Sequence, residues 1–177
     1  MTDESKDPES RSLSEDQDTA LTPEGQREIR ERVTRLVFGG DDNLFKEFVD
    51  NLANATPDGA WVILRGSAIT GHKWHSDEPF DGDGPGTSDM DVTFVGGDMV
   101  MLFNEFHIPG IHSVPFGEDH PFAAPALGDL RERLCRMAKR QVNIQATTSL
   151  VQSVRDVTMD QPYLVLVDKR DNEKPDT

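Results

Sequence analysis

Two short apolar runs, each welded to a polar motif, constrain this chain more than anything else in it. Val62-Ile63-Leu64 runs through Arg65 into a Gly66-Ser67 bend, and Ser88-Asp89-Met90-Asp91 opens the run Val92-Thr93-Phe94-Val95. Runs this short, bounded by turn residues, read as buried strands rather than helices. Successive side chains of a strand alternate faces, so Asp89 and Asp91 point the same way, roughly 6–7 Å apart. Two ionised carboxylates on one face repel unless a cation lies between them. Hard divalent cations with oxygen ligands, Mg²⁺ above all, suit such a pair. At the bend, Gly66 lets backbone approach a ligand closely, and Ser67 opens a short helical turn whose free N–H groups attract phosphate.

A strand ending in Gly-Ser, a short helix, then Ser-Asp-x-Asp at the head of the next strand resembles the nucleotidyltransferase superfamily that includes DNA polymerase beta, the oligoadenylate synthases and the minimal bacterial nucleotidyltransferases. The likeness covers about residues 60–149, half of the chain. It implies an α/β (α+β) fold with a small mixed sheet flanked by helices. It also implies a Mg²⁺-dependent transfer of a nucleotide monophosphate from a nucleoside triphosphate, with ATP as the expected nucleotide, onto a hydroxyl acceptor. Asp89 and Asp91 would be the metal ligands and catalytic carboxylates, and Gly66, Ser67 and Ser88 would contact the nucleotide. The resemblance further implies a third carboxylate on the strand after the next helix. Asn143 stands at that position. An amide offers a lone pair but takes no proton from a hydroxyl near pH 7. Asp168, at the end of the last strand, is the alternative source of that acid. A second possibility is that the second metal is dispensable for the actual acceptor, and a third is a module that binds nucleotide, or a protein, without transferring anything. Larger relatives append a helical domain, so a partner protein or a second copy would be expected to complete the cleft here.

The rest of the chain fits one domain with polar ends. Residues 1–20 hold seven acids against two bases and almost no apolar side chain, which predicts an acidic disordered tail; 168–177 reads as a polar C-terminal tail. The domain between, 21–167, shares in a formal net charge of −15 over the 177 residues. A field of that sign disfavours nucleic acid and anionic membrane without excluding a metal-bridged nucleotide. A single cysteine, Cys135, allows no intrachain disulfide. With no long apolar run and no apolar leader, a cytoplasmic protein off the membrane is expected.

Thr22-Pro23 reads as a helix start, with Ile29, Val33, Leu36 and Val37 at helical spacing up to Gly39-Gly40. Asp41 or Asp42 caps a second helix striped by Leu44, Phe45, Phe48, Val49 and Leu52. Asp98 is expected to cap a short helix. Residues 107–125, with four prolines, read as irregular, and Leu127, Leu130, Leu134 and Met137 mark a helix with a solvated basic face. Val142–Gln145 predicts a strand, 148–157 a helix, and Tyr163–Val167 a final strand covered on both faces. Residues 72–87, HKWHSDEPFDGDGPGT, form a polar insertion of the length that serves as a lid or stays disordered. Within it, His72, His75 and Asp77 have Zn²⁺-like spacing, and Asp81-Gly82-Asp83-Gly84 resembles part of a Ca²⁺ loop, so a metal-binding protein built on 72–83 is a lesser reading. His107, His112 and His120 are expected to be solvated or hydrogen-bonded loop residues.

Overall fold

A computed structural model describes residues 22–73, 76–149 and 161–172. Among these residues the fold is mixed α+β, a six-stranded sheet with both parallel and antiparallel pairs, flanked by helices. Helix α1 (Pro23–Phe38) starts at Thr22, whose hydroxyl accepts the Gly25 N–H at 3.1 Å, and stops at Gly39 in a left-handed conformation. Asp41 caps α2 (Asp42–Ala55), accepting from the N–H groups of Asn43 and Leu44. Strand β1 (Trp61–Arg65) leads into α3 (Ser67–Thr70); β2 (Met90–Val95) leads into α4 (Gly97–Val100). A hairpin of β3 (Phe106–Ile108) and β4 (His112–Ser113) follows, then α5 (Gly128–Ala138), β5 (Val142–Thr147) and β6 (Leu164–Asp168).

The strands lie in the order β3-β4-β5-β2-β1-β6. β1 runs antiparallel to β2 with Arg65 opposite Asp91, and β2 runs parallel to β5 with Asp91 opposite Asn143. This register places the Gly66-Ser67 bend, the start of β2 and the start of β5 at one end of the sheet. One face carries Val62, Leu64, Val92, Phe94 and Ile144, which join Ile29, Val33, Phe48, Leu52 and Leu134 of the helices in the main core. Burying such side chains stabilises by about 1.5–3 kcal/mol each, which is what fixes the register. The other face alternates with it. Trp61, Ile63 and Val95 make a small apolar cluster with Tyr163 and Val165, while Arg65, Asp91, Thr93, Asn143 and Gln145 make a polar band.

Four expectations change. The proline-rich stretch after α4 contains the β3–β4 hairpin, because its main-chain groups continue the ladder of β5 through His112 and Phe116. β6 is an edge strand paired only with β1 and leaves Val165 and Leu166 half-buried. Asp98 lies inside α4, and Gly96 occupies the cap position. His112 is 2% exposed rather than solvated. The predicted acidic tail, His75 and nearly all of the predicted 148–157 helix lie outside the described residues. No helix among the described residues is long and apolar enough to cross a membrane.

Candidate functional site

The bend at residue 66 and the acidic strand edge touch. Gly66 has φ +86° and ψ −161°, a conformation essentially restricted to glycine. A Cβ at this position would stand 2.9 Å from Asp91 Oδ2, so glycine is required twice, once by the backbone and once by the carboxylate. Ser67 follows at the first position of α3, half-buried beside the same edge. Gly66 and Asp91 are 25 positions apart in sequence and meet because β1 and β2 pair antiparallel up to Arg65–Asp91.

Asn143 comes in from the neighbouring strand. Its Nδ2 donates to Asp91 Oδ1 at 3.2 Å and, at 3.4 Å, to Asp89 Oδ2. The amide's two N–H groups thus face two carboxylates, a neutral dipole where repulsion between the acids would otherwise be greatest. Its oxygen fits a notch made by Gly117, where a Cβ would come within 2.2 Å of Oδ1. Burial holds the Asp89 carboxyl above the usual carboxylate range; the negative charges of Asp91 and Glu118 add to this, while the Asn143 hydrogen bond and Arg131 oppose it. Arg65, directly across from Asp91, donates from Nε to Thr93 Oγ1 at 2.9 Å. Burial lowers its pKa, and the charge of Asp91 opposes that shift.

No family model, curated protein or solved structure matches this chain. The geometry therefore carries the functional argument on its own.

Of the residues singled out from sequence, Gly66, Ser67, Asp89, Asp91 and Asn143 gather at one end of the sheet. Asp168 does not. It lies opposite Trp61, at the other end of β1, and pairs with Arg170 through Nε at 2.8 Å and through Nη2. Trp61 and Arg65 stand four residue steps apart along β1, roughly 13 Å, so Asp168 is too remote to complete the acidic pair. Ser88 also changes role. It is buried, its Oγ accepts the Asp81 N–H at 2.9 Å, and its own N–H donates to Asp81 Oδ1, so it fastens the preceding loop.

Three acids of the 72–83 loop are paired with basic side chains. Asp81 pairs with Arg140, and Asp83 with Lys73, which also holds Glu78. Among the described residues no three His, Cys, Asp or Glu side chains are grouped to hold a metal ion. Two basic residues, one in α5 and one just beyond it, are less solvated than expected, while Arg133 and Arg136 are exposed. Arg131 donates to Val142 O and Gln141 Oε1, and Arg140 is 5% exposed. Sequence reasoning missed Gly117 and Arg140, since a glycine notch and an ion pair 59 positions apart leave no local pattern. Cys135 is half-buried, its Sγ accepting the Val142 N–H at 3.4 Å.

Proposed function

We propose that the chain is a Mg²⁺-dependent nucleotide-binding protein of the nucleotidyltransferase type, acting on a nucleoside triphosphate, ATP by expectation. The observation that carries this reading is the contact between a glycine-only bend and a carboxylate pair at one end of a mixed sheet. Its donor set fits a small hard cation: Asp89 and Asp91 offer oxygens from one side, and the amide of Asn143 can turn its own oxygen inward. The space kept open by the missing Cβ of Gly66 suits close approach of a phosphate to the backbone. Asp89 and Asp91 would hold Mg²⁺, and Gly66 and Ser67 would hold the terminal phosphates through N–H and hydroxyl. When bound, the cation would supply positive charge to offset the charge that builds during displacement at the α-phosphate.

A second reading, nucleotide binding without transfer, is favoured by one specific feature. Asn143 holds the place where a third acid would be needed, and an amide is no base at neutral pH. Thermal shifts with a panel of nucleoside triphosphates, with and without Mg²⁺, test both readings together. Stabilisation that needs Mg²⁺ and disappears in Asp89→Ala/Asp91→Ala supports them, and its absence in the unmutated protein removes both. Pyrophosphate release with candidate hydroxyl acceptors then selects the enzyme, whereas binding alone selects the module. Within the enzymatic reading the acceptor is set by surfaces beyond the acidic edge, in a partner or a second copy of the chain.

A further inference from the structure

The insertion before β2 is built as a brace. Asp81 adopts a left-handed conformation, φ +57°, and turns its carboxylate back under the loop. Its two oxygens accept from the N–H groups of Gly86 and Ser88, each at 3.0 Å, and from the guanidinium of Arg140 at 2.8 and 3.0 Å. Arg140 Nη1 also donates to the Ser88 carbonyl at 3.0 Å, and its guanidinium lies 4.6 Å over the Phe80 ring. The two side chains are 18% and 5% exposed. A fork-to-fork pair removed from water in this way is geometrically specific, and breaking one partner leaves an unpaired buried charge.

Position gives the pair its meaning. Ser88 immediately precedes Asp89 at the head of β2. Arg140 precedes Gln141, whose carbonyl accepts the Met90 N–H at 2.9 Å, and Asn143 lies three residues beyond Arg140 on β5. Gly86, at φ +79°, packs so closely on the neighbouring turn that a Cβ there would stand 2.9 Å from the Lys139 carbonyl. One ion pair therefore fixes the heads of both strands that bear the candidate site. It acts on the residue next to Asp89 and makes no hydrogen bond to the acids themselves.

We propose that Asp81 and Arg140 are positioning residues for the Asp89–Asp91–Asn143 constellation, setting how the two parallel strands present their carboxylates and amide to a bound cation. The inference rests on the functional reading above for its purpose, while its geometric content stands independently of any ligand. A site whose groups must sit within about half an ångström to work needs such support behind it.

The experiment uses the full chain and two readouts at a temperature where every variant is folded. One is the Asn143 side-chain NH₂ signal in ¹⁵N–¹H spectra, assigned by its loss in Asn143→Asp. The other is the affinity for Mn²⁺ alone, measured by calorimetry. Asp81→Asn should shift the Asn143 signal and weaken Mn²⁺ binding about tenfold, a factor typical of losing a partner that orients metal ligands. Arg140→Lys, which keeps the charge and loses the fork, should fall between it and the unmutated protein. Leu52→Ala, in the core under α2, supplies a control that lowers the melting temperature without touching the brace. An unchanged Asn143 signal in Asp81→Asn, or an equal change in the Leu52→Ala control, would overturn the inference. If the signal moves but the unmutated protein binds no Mn²⁺, the brace stands and the metal reading fails.

Discussion

The two ends of β1 show opposite treatments of negative charge. At the Trp61 end, Asp168 meets Arg170, whose guanidinium also stacks 4.1 Å over the Trp61 ring; the Arg170 side-chain hydrogen bond, helped by its backbone N–H and its charge, holds the Asp168 carboxyl below its ordinary range. At the Arg65 end, Asp89 and Asp91 are adjacent, one of them with its carboxyl held above the ordinary range by burial, and a neutral amide lies between them. The nearest cation across the strand, Arg65, directs its Nε to Thr93. A carboxylate already matched by a guanidinium is a structural device. Two carboxylates separated by a neutral amide have no guanidinium matched to them in this way, which on the proposed reading leaves them to a small cation.

That contrast can be broken by substitution. The largest expected effect on ligand binding is at Gly66. Gly66→Ala forces a Cβ into the glycine-only region and against Asp91, so it should cost about 1–3 kcal/mol in denaturant unfolding. It should also abolish the Mg²⁺-dependent nucleotide shift. Retention of that shift would separate the bend from the acids. Next comes acid sensitivity of the polar band. His112 is buried with both ring nitrogens unpartnered, and burial first, then Arg65 and the stacked His107, lower its pKa to about 4. The unfolded value is about 6.5, so its folded form resists protonation. Stability is full above pH 6.5 and falls as pH drops towards 4, by about 3 kcal/mol in all. His112→Leu should flatten that segment of the stability–pH curve; an unaltered slope would contradict the account.

Asn143→Asp should sharpen the comparison by adding a third carboxylate, raising Mg²⁺ affinity by about tenfold, in line with ligand charge setting cation affinity. It should also steepen the loss of binding at low pH, because a cation needs Asp89 ionised and its pKa already lies above the ordinary value. Unchanged affinity would place the cation elsewhere. The smallest effect belongs to the other end. Asp168→Asn removes a pair that is about half exposed, so it should cost less than about 1 kcal/mol and leave nucleotide shifts intact. A loss of Mg²⁺ dependence in that variant would restore Asp168 to the site.

The parts of this molecule visible in sequence are those governed by local chemistry. Thr22-Pro23 and Asp41 signal helix starts because capping is a matter of three or four consecutive residues. The alternation Met90-Asp91-Val92-Thr93-Phe94 shows which face each side chain takes, and so places Asp91 with Arg65 and Asn143 once the strands pair. The α+β architecture follows from the order of such runs. Long-range contacts were hidden. Asp81 looked like a loop acid because nothing in DGDG reveals a guanidinium 59 residues later. Gly117 carries no local signal either, although it makes room for an amide on the adjacent strand. The β3–β4 hairpin was masked by its prolines, and it exists because β5 offers it an edge.

Paramagnetic broadening tests the central contrast most directly. Mn²⁺ added with ATP to ¹⁵N-labelled protein should erase the backbone signals of Gly66, Ser67, Asp89, Asp91 and Asn143 together, at concentrations that leave Asp168, Arg170 and the Lys73–Asp83 loop visible. Broadening centred on Asp168 or on that loop, or sparing Gly66 and Ser67 while the acids disappear, would contradict the account.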